Sequence, residues 1–265
     1  MELERGLTQL NGVGLAWTRS GPRAHDVPSV VLAHGLTDAA ATWDRVALPL
    51  SSSWDVIRYD ARGHGGSSWT SNYSVESNTA DMIGLVRELR LHRPVLIGHS
   101  MGAVHAALAA AELDVRALVL EDPHWPELAE DGPKDIDLSR QSVVDVAARS
   151  SAERHALVQA EHPTWAEDDL AAWVQARNQV DPDVVNWFAS WQTTNNWRAH
   201  VTQLRRPTLL MTGDVNPTVT PRAAAEAQQL CPQLQAAQLH GAGHNVRRDQ
   251  YEAYWQSLTA FLADL

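Results

Sequence analysis

Short apolar runs separated by longer stretches of helical spacing set the architecture of this chain. SVVLAHG (29–35), WDVIRYD (54–60), PVLIGHS (94–100) and RALVLED (116–122) each hold a short apolar or β-branched run closed by a turn signal, the pattern of strands buried on both faces. Between them, residues 76–91 and 101–112 have helical spacing and good helix formers. The alternation returns late in the chain, where PTLLMTG (207–213) and LQAAQLHG (234–241) read as strands and 221–230 and 248–263 as helices. Such alternation implies parallel strands with helices on both faces. Residues 123–203 interrupt it. They are rich in Ala, Asp, Gln and Trp, break at HPTW and DPD, and predict three or four short helices and no strand. The expected fold class is α/β: a core of 1–122 and 204–265 around a mostly parallel sheet, with a helical lid, 123–203, inserted before the last two strands.

Composition narrows the functions open to such a chain. Its 265 residues, 44% of them hydrophobic, suffice for one sizeable core. A net charge of -11 works against binding nucleic acid or anionic membranes. A single cysteine, Cys231, excludes an internal disulfide framework and a cysteine zinc cluster. The opening MELERGLTQL lacks the basic end and apolar stretch of a secretory signal, and no apolar run has bilayer length. A cytoplasmic protein with a small-molecule substrate is expected, with at most a second copy of itself as a homodimer partner. No G-x-G-x-x-G follows a strand and there is no phosphate loop, so no nucleotide, flavin or metal cofactor is expected.

Six of the eleven tryptophans fall in the insert: Trp125, Trp165, Trp173, Trp187, Trp191 and Trp197. Two readings stand side by side. The rings stabilise a small helical layer, or some of them line an apolar pocket over the sheet.

Three motifs carry chemistry. GHSMG (98–102) is a G-x-S-x-G between a strand and an alanine-rich helix. A serine on so sharp a turn is forced toward unfavourable backbone angles, and the glycines remove side chains that would collide, leaving the Ser100 hydroxyl exposed. The free N–H groups of the following helix point at the same place. HGL (34–36) ends an earlier strand, so its loop opens at the same sheet edge, where the Leu36 and Met101 N–H groups can pair as an oxyanion hole. His34 is expected to order that loop by bonding its backbone, and His34 and Gly35 are expected to border the substrate. GAGHNV (241–246) follows the last strand and puts His244 on a glycine-flanked loop at that edge. A serine hydroxyl needs such a base.

With DARGHGGS (60–67) and TGDVNP (212–217), these motifs in this order make the chain resemble the α/β-hydrolase fold superfamily, in particular its small esterase, lactonase and C–C hydrolase branch. The resemblance covers nearly everything outside 123–203. It implies Ser100 as nucleophile, His244 as base, and Leu36 and Met101 as oxyanion donors.

The acid departs from the pattern. Relatives commonly carry it after the strand 207–213, in a G-[DE]-x-D whose second acid falls here on Asn216. An amide cannot stabilise the imidazolium that forms during catalysis. Three explanations compete. The acid has moved to the end of the preceding strand, where alternation places Glu121 and Asp122 on opposite sides and favours Asp122; or Asp214 reaches the histidine; or the acid is absent, by natural loss of fast catalysis or by replacement of an aspartate. A cap before Pro123 is the plain alternative for Asp122.

The resulting expectation is a serine hydrolase that cleaves an uncharged or weakly charged carboxylic ester or lactone, with an apolar or aromatic group, through an acyl-enzyme. His124 and Trp125 are expected at the pocket mouth. C–C or amide hydrolysis is the alternative within the fold; an aminopeptidase would need insert carboxylates such as Glu161, Glu167, Asp168 and Asp169, which also fit solvated helix faces. A ligand-binding protein that has lost turnover is the alternative outside it.

Overall fold

The computed structural model describes residues 3–24, 26–125, 139–194 and 196–265. Residues 126–138 of the insert lie outside the described residues. Eight strands form one sheet: β1 (Leu3–Leu10), β2 (Val13–Ser20), β3 (Ser29–Ala33), β4 (Asp55–Tyr59), β5 (Val95–His99), β6 (Ala117–Glu121), β7 (Thr208–Gly213) and β8 (Leu234–Leu239), in the spatial order β1-β2-β4-β3-β5-β6-β7-β8. Strands β3 to β8 are parallel, and β2 joins the β1–β2 hairpin to β4 antiparallel. The hairpin is an addition to the strands predicted from apolar runs. It turns at Asn11 and Gly12, both with left-handed backbone (φ 51 and 81), which is the Asn-Gly signal of a two-residue β-turn.

The all-apolar strands are buried because each feeds two cores. Val31, Leu96, Leu118, Leu120 and Leu210 face one cluster; Val30, Leu32, Val95, Ile97, Val119 and Met211 face the other. Helices α1 (Asp44–Leu50), α2 (Val75–Glu88) and α3 (Met101–Ala109) follow β3, β4 and β5. The chain passes from β3 to β4 on one side and returns to β5 on the other, so the loops leaving β3 and β5 flank the point where strand order reverses. Ligand sites of open parallel sheets form there.

Between β6 and β7 lie α4 (Arg140–Ala148), α5 (Ser151–Glu161), α6 (Glu167–Ala176), a 3-10 turn (Pro182–Val185), α7 (Asn186–Thr194) and α8 (Trp197–Val201). The six tryptophans of this region are buried. Trp125 stacks on Trp197 with ring centroids 4.9 Å apart, and Trp187 stacks on Trp191 at 6.0 Å. They stabilise the layer, so the aromatic content of the insert no longer argues for an aromatic substrate. The insert is fastened to the sheet domain by Gly65 N–H to Gln179 O (2.8 Å), Asp181 N–H to Gly63 O (2.8 Å), the Arg45–Asp169 ion pair (2.6 Å) and Trp165 Nε1–H to Asp249 Oδ1 (2.6 Å).

After β7 come α9 (Pro221–Leu230), β8, α10 (Val246–Asp249) and α11 (Tyr251–Ala263). The helix expected over 248–263 is thus divided at Gln250, whose φ of -137 leaves the helical region. The break lets Asp249 face back and accept the Gly243 N–H at 2.8 Å, bracing the loop that carries His244. Among the described residues, no helix is long and apolar enough to cross a membrane.

Candidate active site

β5 ends at His99 and α3 starts at Met101, so Ser100 alone makes the turn, with φ 51 and ψ -113. A non-glycine residue held there costs on the order of 1–3 kcal/mol, and the surroundings must enforce it. They do: a Cβ at Gly98 would lie 2.3 Å from Gly102 O, and a Cβ at Gly102 would lie 2.4 Å from Ala33 O. Only glycines let α3 sit so close to the ends of β3 and β5. The Ser100 N–H is tied to Glu121 O at 2.9 Å, leaving its half-buried side chain to face the sheet edge.

The loop after β3 rests on this turn. A Cβ at Gly35 would be 2.7 Å from His99 Nδ1 and 3.4 Å from Ser100 Cβ, so Gly35 is what lets the loop pack this closely on the turn. His34 orders this loop as expected, with both its ring nitrogens occupied by backbone. Nε2 accepts the Ala61 N–H at 2.9 Å, which fixes the tautomer, and Nδ1–H donates to Gly35 O at 2.8 Å. His64 repeats the device: Nε2 accepts the Thr37 N–H at 3.1 Å and Nδ1–H donates to Arg62 O at 2.9 Å. Burial holds His34 below the usual histidine range and His64 down to about 3, so both rings stay neutral. Peptides on both sides of Leu36 are thereby fixed. Among the described residues, neither the Leu36 nor the Met101 N–H joins a backbone hydrogen bond in a turn or loop, and Met101, first in its helix, has no intrahelical acceptor.

The acid beside the histidine is Asp122. It follows β6 with a left-handed φ of 37 and is fully buried. His244 Nδ1–H donates to Asp122 Oδ2 at 2.6 Å and lies 3.0 Å from Thr218 Oγ1. The Thr218 and Val219 N–H groups donate to Oδ2 and Oδ1 at 2.8 and 2.9 Å. Burial disfavours charge on the His244 ring, but the Asp122 hydrogen bond and charge, with Glu121 and Asp38 behind them, outweigh it and raise its pKa above the ordinary value. Asp214, the alternative acid, is turned away: it accepts from His240 Nδ1–H at 2.5 Å and the Gly241 N–H at 2.7 Å. Asn216 is exposed with φ 50 and makes no hydrogen bond to His244. The loop that would have carried the acid supplies Thr218 and Val219 instead. Sequence reasoning passed over these two because the groups that cap Asp122 are backbone; only the Thr218 hydroxyl beside His244 is a side-chain contribution.

His99 completes the link between the serine and histidine loops. Its Nε2–H donates to His244 O at 3.0 Å and the two rings lie 4.8 Å apart. Burial, then the Arg247 charge, hold His99 well below its ordinary pKa, so it stays neutral. Ser100 Oγ makes no hydrogen bond to His244 in this conformation; such bonds commonly tighten when substrate is bound. His124, next to Asp122, sets its ring against Phe188 (5.0 Å) and Trp187 (6.1 Å), and burial pushes its pKa down to about 4. Trp125 does not reach a pocket mouth; its ring is spent on the Trp197 stack. Beneath the site, Glu121 receives the Arg247 N–H and Nη1–H, both at 2.9 Å, and Asp38 receives Arg248 Nη2–H at 2.8 Å. Among the described residues no group of three or more His, Cys, Asp or Glu has the arrangement of a metal site.

Known proteins carry the same architecture. The chain is 28% identical to the N-formylmaleamate deformylase of Pseudomonas putida, over 97% of this chain and 96% of that one. It is 26% identical to the 2-(acetamidomethylene)succinate hydrolase of Mesorhizobium japonicum, over 89% and 88%. Among solved structures, an N-formylmaleamic acid deformylase from Pseudomonas putida superposes with a TM-score of 0.83 at 23% identity, covering 96% of this chain and all of that one. An enol-lactonase from Burkholderia xenovorans superposes with a TM-score of 0.76 at 24% identity, covering 97% and 100%. Residues 28–247 match the family described as alpha/beta hydrolase fold. A nucleophile-type turn, a histidine loop and a buried carboxylate along one edge of a mostly parallel sheet agree with that match, and the chain belongs to the alpha/beta hydrolase fold family, among relatives that are hydrolases.

Proposed function

We propose that this chain is a serine hydrolase that cleaves a carboxylic ester or lactone through an acyl-enzyme. The observation that carries the reading is the 2.6 Å contact between His244 Nδ1 and a fully buried Asp122, on loops that converge with the strained Ser100. In this mechanism His244 Nε2 takes the Ser100 proton as Oγ attacks the carbonyl. Asp122 stabilises the imidazolium. The developing alkoxide is held by the Leu36 and Met101 N–H groups, each such donor being worth about 3 kcal/mol. His244 then protonates the leaving group, and a water activated by the same ring releases the acid. The insert acts as the lid over this edge.

A second reading, amide hydrolysis by the same residues, is favoured by the names of two relatives, a deformylase and an acetamidomethylene-succinate hydrolase, both aligned over most of their length. The chemistry differs only in the leaving group that His244 must protonate.

Reaction with a fluorophosphonate probe tests the core of the proposal. Rapid labelling that Ser100→Ala abolishes is the expected result. A wild-type protein that resists labelling while still binding small ligands would be a binding protein of this fold, and the enzyme reading would be lost.

A further inference from the structure

Arg177, at the end of α6 in the insert, is placed unlike the other buried or half-buried arginines. Arg247 and Arg248 are paired with Glu121 and Asp38, Arg62 with Asp81, and Arg45 with Asp169. Arg154 has no carboxylate but donates to the carbonyls of Val174, Ala147 and Arg149. Arg177 has neither. It donates to the Thr37 hydroxyl, its guanidinium lies 4.6 Å over the Trp173 ring, and its Nε has no hydrogen-bond partner. Asp38 is the acid with the largest effect on it, but among the described residues the two form no ion pair: Asp38 Oδ2 pairs with Arg248 at 2.8 Å and lies 3.8 Å from Arg247, and Oδ1 has no hydrogen-bond partner. Burial pulls the Arg177 pKa down to about 10, partly offset by Asp38 and Glu161. A desolvated cation with no carboxylate at ion-pair distance is costly unless an anion arrives to pair with it.

Its position says which anion. Thr37 directly follows Leu36, the proposed oxyanion donor, and about six covalent bonds separate the Leu36 nitrogen from the Thr37 hydroxyl. Thr37 has a left-handed φ of 65, which a β-branched residue rarely adopts, and the His64 bond to its N–H and the Arg177 bond to its hydroxyl hold it there. We propose that Arg177, presented by the insert beside the oxyanion loop, is the anchor for a carboxylate on the substrate, so that the preferred substrates are short half-esters, half-amides or lactone acids. This rests on the serine-hydrolase reading and replaces the uncharged or weakly charged substrate expected from the sequence. The fork of the guanidinium suits a carboxylate.

The test compares mono-p-nitrophenyl succinate with p-nitrophenyl butyrate, which has nearly the same length and no charge, in a protein first shown to label with fluorophosphonate. The expected result is a half-ester kcat/KM about 10–100-fold above that of the butyrate, with the ratio collapsing in Arg177→Met mainly through KM and partly recovered in Arg177→Lys. Succinate and glutarate should inhibit wild-type turnover competitively, a measurement that needs no variant. Labelling with no preference for the half-ester and no inhibition by these dianions would overturn the Arg177 assignment and leave the serine hydrolase standing. Absence of labelling would instead remove the reading beneath it.

Discussion

Two neighbouring loops leave the carboxyl edge of the sheet, one after β6 and one after β7, and among the described residues each carries an aspartate and one non-glycine residue with left-handed backbone, Asp122 (φ 37) and Asn216 (φ 50). On the first loop the left-handed residue is the acid itself. It turns its carboxylate into the protein, where three N–H donors meet it: His244 Nδ1, Thr218 N and Val219 N. On the second loop the acid precedes the left-handed residue and stays at the surface, with its side chain 28% exposed and paired to His240, which is almost wholly solvated. Both carboxylates sit near a histidine. Only the buried one can hold its partner in one geometry and stabilise a charge on it, because water screens the other pair. Burial with complete hydrogen bonding, rather than position in a motif, is what favours Asp122 as the acid of the proposed mechanism.

The sharpest way to break this comparison is to neutralise each aspartate. Asp122→Asn retains acceptors for some of the N–H groups, but presents an amide to His244 Nδ1–H and favours the wrong tautomer. It should lower kcat by about 10³–10⁴-fold with the fold intact. Asp214→Asn should change kcat less than about 3-fold, since a solvated pair contributes little. Steady-state kinetics on p-nitrophenyl acetate decide it, and the opposite ranking removes Asp122 from the mechanism. The pH profile sharpens the point. His244 must be neutral to act as base, and its folded pKa is raised. The acidic limb of kcat/KM should therefore lie above about 6.5, and in Asp122→Asn the residual activity should shift to lower pH, because burial then acts with less opposition. The linkage has a definite sign: the protonated ring stabilises the fold below the unfolded pKa, and this contribution is lost as pH rises through the raised folded value.

A second comparison lies at the end of β6. Glu121 and Asp122 are adjacent, point to opposite sides and are both fully buried, yet Glu121 faces Arg247 and not the histidine. It ties the end of β6 to the helix just beyond the His244 loop. Glu121→Ala leaves a buried arginine whose one remaining ion pair is the long one to Asp38 (3.8 Å), beside weak hydrogen bonds to Thr42 (3.4 and 3.5 Å) and the Trp43 ring. It should cost about 3–5 kcal/mol, a fall in Tm on the order of 10 °C. Thermal melts beside those of Asp122→Asn, where Tm should move far less, separate the structural acid from the chemical one.

What could be read from the sequence follows from which groups do the work. Strands β3 to β7 were legible because burial on both faces demands nearly continuous apolar residues, and β8, exposed or half-exposed between its buried ends, through its place in the strand–helix alternation. β1 was not, because it is exposed or half-exposed along its whole length and never forms an apolar run. Ser100 and His244 were legible through the glycines that their turns require, and Asp122 through the alternation that sets it apart from Glu121. Trp125 was misplaced because sequence adjacency to Asp122 does not fix the direction of a ring that finds Trp197 to stack on. Thr218 and Val219 act through N–H groups, which every residue but proline carries. Arg177 meets Thr37 across 140 positions, and no local pattern announces such a contact.

The smallest effect is expected at the residue that most disturbs the family pattern. Asn216 stands where relatives commonly place the acid, so Asn216→Asp tests whether a carboxylate regained there would take over. Its backbone is left-handed, which aspartate tolerates nearly as well as asparagine, so the loop should keep its course. Its side chain is exposed. The space beside His244 Nδ1 is already filled by Asp122 and Thr218 Oγ1. A carboxylate at 216 would therefore remain in water, two residues from Asp214, and act on His244 only through a screened field. Hydrolysis of p-nitrophenyl acetate should change by less than about 2-fold, and stability by no more than about 0.5 kcal/mol, as for surface substitutions in general. A gain of orders of magnitude would mean that the 2.6 Å contact of Asp122 is structural and that the acid site had been the β7 loop. A flat response, beside a collapse in Asp122→Asn, would mean that the acid has moved by one strand and that Asn216 serves the turn which lets Thr218 and Val219 cap it.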